Sequence, residues 1–191
     1  SLVGSEMCIR DRIKTYLLQK EIIMSTIFAN IKYLLAPVLI LVTFAGVLAG
    51  GILAWLGVAL LFVGIVIDTL IKKQASSQMH NDSGETLASP MFQNLVMYFM
   101  LPVFVLLQLA LAWRVYGFMS GMPVEVTSVW MGLIPITSGI TGLDLIGATL
   151  STGIFAGIGI IYGHELSHTK GFAFIISRMT MALSGLSLIH I

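Results

Sequence analysis

The sequence predicts an all-α protein: a polytopic transmembrane helical bundle of about four spanning helices in two hairpins, with an interfacial or re-entrant segment before the last span. Composition is the first reason. Of 191 residues, 57% are hydrophobic and 10% charged, whereas soluble domains carry roughly 25% charged residues, and mean hydropathy is +0.98. The second is the length of the apolar runs, since one spanning helix needs roughly 20 residues. The third is the placement of the cations, which with the exception of Arg114 fall on one side if the chain crosses four times.

The ends stand apart from the fold. MCIRDR (residues 7–12) and LSLIHI (residues 186–191) are translations of ATGTGTATAAGAGACAG and CTGTCTCTTATACACATC, strings that are reverse complements over their shared length and resemble a transposon-end sequencing adaptor. Residues 1–12 and 186–191 are therefore expected to be translated adaptor, residues 13–23 translated upstream sequence, and residues 24–185 a truncated membrane domain starting at Met24. Cys8 lies in the first adaptor segment and His190 in the second, so neither informs on disulfides or metal ligands. A net charge of +1 with no basic tract gives no reason to expect nucleic acid as a partner.

Between Lys32 and Asp68 there is no charge, which leaves room for two spans, and the Gly50-Gly51 pair marks the turn between them. The third span covers residues 95–113, interrupted by Pro102 and Gln108, with Trp113 and Tyr116 as interfacial anchors. Residues 126–143, VTSVWMGLIPITSGITGL, are apolar but broken by Pro135 and small residues, and read as the interfacial or re-entrant segment. The fourth span covers residues 145–163. This places Lys14, Lys20, Lys32, Lys72, Lys73, Lys170 and Arg178 on one side and Arg114 on the other, so the first side is expected to be cytoplasmic. The polar, turn-rich residues 72–90 are then a cytoplasmic loop.

The chemistry concentrates in residues 161–172, IYGHELSHTKGF. His164 and His168 are four apart, which on a helix puts both imidazoles on one face within reach of one metal ion. Imidazole suits zinc, iron, copper or nickel alike. HELSH is literally the H-E-x-x-H pattern of a zinc metalloprotease, in which Glu165, roughly 100° around the helix from His164, would be the general base. In an iron site Glu165 would instead orient a histidine by a hydrogen bond. The plain alternative is a spanning helix that ends in polar residues. A catalytic zinc takes about three protein ligands, yet residues 169–185 contain no His, Asp, Glu or Cys; most of any metal site must come from elsewhere.

Other residues read more simply. Asp68 is a candidate partner of the metal site because acids inside membranes are often functional, but an i, i+4 pair with Lys72 is the preferred reading. Asp144 is expected to cap the fourth helix or complement its dipole, and His80 to be a solvated loop residue. Gly147, Gly153, Gly157, Gly159 and Gly163 line the fourth helix and allow close packing, or leave room for a hydrocarbon chain.

The segment GHELSHTKGFAFIISRMTMALSG, residues 163–185, together with the preceding hairpins and VIDTLI around Asp68, resembles the first histidine box and its surroundings in the integral-membrane non-haem di-iron hydroxylases, the alkane and xylene monooxygenase branch of the fatty acid desaturase and hydroxylase superfamily. The resemblance implies that His164 and His168 ligate iron within a two-iron centre, that Glu165 acts through a ligand histidine, and that later histidine boxes supply the remaining ligands. It further implies an alkane monooxygenase-like enzyme of the bacterial inner membrane, with its metal site on the cytoplasmic side. Such an enzyme uses dioxygen to hydroxylate an unactivated methyl group of an alkane or alkyl arene, with electrons from a rubredoxin or a flavin and iron-sulfur reductase. Without the later boxes the chain is expected to be inactive. A membrane zinc metalloprotease is the alternative.

Overall fold

The computed structural model describes residues 24, 26–27, 30–71, 90–129 and 134–185. Cys8, Lys72, Lys73, His80, His190 and the adaptor-like ends lie outside the described residues. The chain divides into two units, one of Ser1–Leu34 and Lys73–Asn94, the other of Leu35–Lys72 and Leu95–Ile191. The first contributes, among the described residues, the opening turns of two helices; the second holds everything below.

Four helices are long and apolar enough to cross a membrane among the described residues: α1 (Asn30–Ala49), α2 with its lead-in (Gly51–Leu70), α3 (Met91–Met119) and α4 (Gly142–Ser167). The expected all-α bundle is present. Helix α1 stops at Gly50 and Gly51, which adopt φ of 73° and 54°, a left-handed conformation open to glycine at little cost. A 3₁₀ turn, Gly51–Trp55, then leads into the regular part of α2, Leu56–Ile71. Helix α3 begins at Pro90 and carries Pro102 in its interior.

Side-chain contacts fix the directions. Gly57 of α2 lies against Ser151 of α4, and the Ser151 hydroxyl donates to Ala54 O at 2.8 Å while accepting from Val58 N at 3.3 Å. Further along, Leu60 to Asp68 and Ile154 to Ile158 line one cleft, so α2 and α4 run the same way. On α3, Leu101 packs beside Leu166, Phe104 against Gly159, and Arg114 against the residues just before α4, so α3 runs opposite to α4. The core comprises Ile40, Val47, Met100, Val103, Leu107, Ala148 and Phe155, all buried.

Arg114 closes one end of this core. It is 2% exposed. Its guanidinium donates to Val47 O at 2.9 Å and to Leu48 O at the end of α1, and to Thr137 O at 2.8 Å, Ser138 O at 3.4 Å and Gly139 O at 3.3 Å. Among the described residues its partners are all backbone carbonyls, so the cation is held by hydrogen bonds and by the negative end of the α1 dipole. Thr137 adds a bond from its hydroxyl to Ala49 O.

Two elements differ from the sequence expectation. Residues 126–143 contain a short antiparallel hairpin, β1 (Val126–Val129) and β2 (Ile134–Thr137), with Val126 opposite Thr137 and Val129 opposite Ile134. The β-branched residues favour strands, and Pro135 is tolerated because a two-stranded ribbon has only edges. The cap of α4 is Thr141, which accepts from Asp144 N at 3.2 Å and donates to Asp144 Oδ2 at 2.6 Å. Thr141 is thus the cap, and Asp144 sits in the first turn, where its carboxylate complements the helix dipole, the second of the two roles expected for it. The second difference is α5 (Phe172–Leu183), an unexpected short apolar helix after the fourth span. Gly171, at φ 76°, turns the chain, and α5 folds back antiparallel along α4: Ser177 donates to Gly163 O at 2.6 Å and Ser184 reaches Gly159. Gln108 of α3 donates to Leu183 O at 3.1 Å, satisfying a carbonyl at the end of α5.

Arg114→Lys keeps the charge but not the fork that spans α1 and the β2 loop, and should lower unfolding stability in a detergent titration by at least about 2 kcal/mol; a wild-type midpoint would show the clamp to be dispensable. At Gly57 an added Cβ would stand 2.7 Å from Ser151 Cβ and 3.0 Å from its Cα, so Gly57→Ala should cost about 1–3 kcal/mol. Gly157→Ala meets nothing within 4 Å and should be neutral or stabilising by up to about 1 kcal/mol in the same titration.

Candidate metal site at the end of α4

The faces of α4 explain where the histidines point. Ala148, Thr152, Phe155, Gly159, Gly163 and Leu166 are buried, Leu166 against Ala173 and Ile176 of α5 and Met97 and Leu101 of α3. Gly159 and Gly163 admit Phe104, Ser184 and Met181 at contact distance, and Gly147 admits the Trp55 ring. The opposite face, Ile146, Leu150, Gly153, Gly157, Ile161, His164 and His168, is exposed throughout and follows the three-and-four spacing of one helical stripe. The glycines expected to pack therefore split: Gly159 and Gly163 are filled, while Gly153 and Gly157 have no atom within 4 Å of an added Cβ.

With Leu166 locked inward, His164 and His168 project outward side by side. Their Nε2 atoms are 3.4 Å apart, and the rings meet edge to face with centroids at 4.9 Å. Two imidazole nitrogens bound at about 2.0–2.1 Å to one tetrahedral ion would stand about 3.3–3.4 Å apart, so the separation is that of two ligands on one ion; in the structure one ring nitrogen is within hydrogen-bond reach of the other. His168 is also the C-cap of α4, its N–H directed to Glu165 O and Leu166 O. The hydroxyls of Ser167 and Thr169 bond His164 O and Leu166 O, each at 2.6 Å. The helix end is thereby held by local bonds.

The other candidates do not join this pair. Glu165 is exposed, and among the described residues no group of three or more His, Cys, Asp and Glu side chains could hold a metal ion. Asp68 is exposed near the end of α2 and lines the cleft with Ile154 and Ile158 of α4; its expected pairing with Lys72 lies outside the described residues, as does His80. The cleft itself escaped the sequence reading, because its walls come from three helices and only Gly64, an opening in the α2 surface, marks it. The chain matches no protein-family profile, no curated protein and no solved structure.

For a metal held by this pair, each histidine would be a ligand and exposed Glu165 would not. In a cobalt or nickel titration of the detergent-solubilised chain, His164→Ala and His168→Ala should each weaken binding at least about tenfold, whereas Glu165→Gln should change it less than about threefold. Equal losses from all three variants would place Glu165 among the ligands.

Proposed function

We propose that the chain is the N-terminal part of a membrane-embedded di-iron oxygenase that hydroxylates hydrocarbons, with His164 and His168 as iron ligands. The observation that carries this reading is the convergence of the two Nε2 atoms at 3.4 Å on the polar end of an otherwise apolar spanning helix. The resemblance of residues 163–185 to the first histidine box of the alkane and xylene monooxygenases selects iron over zinc. When bound, non-haem iron supplies the activation of dioxygen, by which one oxygen atom enters a C–H bond and the other leaves as water, taking up two electrons and two protons.

The chain's own residues set the surroundings. Leu166, anchored under α5, holds both imidazoles on the outer face. Along that face, Ile146, Leu150, Gly153, Gly157 and Ile161 offer a path by which an apolar substrate reaches the histidines from the bilayer without crossing water. Lys170, two residues after His168, favours a cytoplasmic setting for this helix end under the positive-inside rule, the side from which a rubredoxin or a flavin and iron-sulfur reductase would deliver electrons. The remaining iron ligands belong to later histidine boxes, and the bacterial inner membrane is the setting this scheme implies.

The test is to read the source gene beyond the codon for Gly185 and then assay the complete protein, iron-loaded and reduced, with octane and dioxygen. Further H-x-x-H-H-type boxes and a 1-alkanol product absent from His164→Ala are expected. A continuation with a single additional zinc ligand, and peptide cleavage that depends on Glu165, would replace the oxygenase by a zinc metalloprotease. No further ligands at all would exclude both enzymes.

A further inference from the structure

Helix α2 is the least covered of the spans: only 11% of its apolar window is buried. Along one side it borders a cleft of about 320 Å³ walled by Leu39 of α1, Leu60, Leu61, Gly64 and Ile65 of α2, and Ile154, Phe155 and Ile158 of α4, with Asp68 the single charged residue of its lining among the described residues. That volume falls within the size range of small-ligand sites, roughly 300–1,000 Å³. From Leu60 to Asp68 the cleft follows eight residues, or about 12 Å of helix. Gly64 has nothing within 4 Å of an added Cβ, so the middle of the cleft is open.

We infer that this cleft holds an acyl chain of a phospholipid whose primary-ammonium headgroup pairs with Asp68. At membrane depth an apolar wall gains little by exchanging one alkyl neighbour for another, so the cleft by itself selects no headgroup. The selectivity comes from Asp68. Its carboxylate accepts hydrogen bonds only; it repels an anionic phosphoglycerol head, finds no N–H on a quaternary choline, and finds three donors on an ethanolamine ammonium. Asp68 stands toward the same end of the bundle as His164, because α2 and α4 run the same way, so chain and headgroup lie in the order a bilayer leaflet imposes. The inference does not use the histidines and is independent of the oxygenase reading.

The test is native mass spectrometry of the full chain released from bilayers in which phosphatidylethanolamine, phosphatidylcholine and phosphatidylglycerol carry identical palmitoyl and oleoyl chains. One phosphatidylethanolamine should be retained about two- to fivefold over the other two, the range of an exposed ion pair. Asp68→Asn should abolish that preference, and Gly64→Leu, which fills the cleft, should lower retention of all three lipids. Lys72→Ala, which removes the nearest competing cation in the sequence, should preserve or raise the preference. Equal retention of the three headgroups, a preference for phosphatidylglycerol, or an Asp68→Asn chain that behaves as wild type would overturn the assignment.

Discussion

Helix ends leave carbonyls without intrahelical partners, and where such an end is buried no water takes them up. In this protein the fork of Arg114 meets that need at one end of the core. It binds Val47 O and Leu48 O at the end of α1 and Thr137 O, Ser138 O and Gly139 O ahead of α4. A buried cation without an acidic partner is costly unless its donors are used; here five carbonyls use them and the α1 dipole adds its field. The close fit continues at Gly50, whose added Cβ would collide with Arg114 and Thr137. Once α1 and the β2 loop are joined, the turn at Gly50 and Gly51 directs α2 along α4, and Gly57 comes to rest on Ser151.

The position of the histidines follows from the far end of the same packing. Helix α5 turns at Gly171 and covers Gly163 and Leu166, leaving the opposite stripe of α4 in the open. His164 and His168 fall on that stripe because each is two residues, about 200° of helical rotation, removed from inward-facing Leu166. The two nitrogens then meet at a separation suited to one ion. The histidine pair is thus built from one helix alone, with α5 and α3 acting on it by holding the buried face still.

Much of this was legible in the chain. Long charge-free runs leave a helix as the principal way to satisfy backbone groups in lipid, so the four spans and the Gly50-Gly51 break could be read from composition and spacing. The HELSH pair was legible too, because i, i+4 adjacency is a property of any helix. Less visible were the elements whose formation depends on neighbours. The hairpin at residues 126–137 is short and apolar, with Pro135 masking its alternation. Helix α5 is too short to register as a span, and its small inward residues, Ala173, Ser177 and Thr180, gain meaning only against the glycines of α4.

The sequence by itself determined that this protein lives in a membrane, roughly where it crosses, and that two histidines share a helical face, since these depend on hydropathy and helical period alone. Tertiary structure decided which glycines are filled and which stay open, that Arg114 faces inward to carbonyls, and that Asp68 lines a cleft apart from the histidine pair. The reason is physical. Burial, the choice of hydrogen-bond partners and the walls of a cavity are set by contacts between helices distant in the chain, and local pattern carries no record of which surfaces will meet.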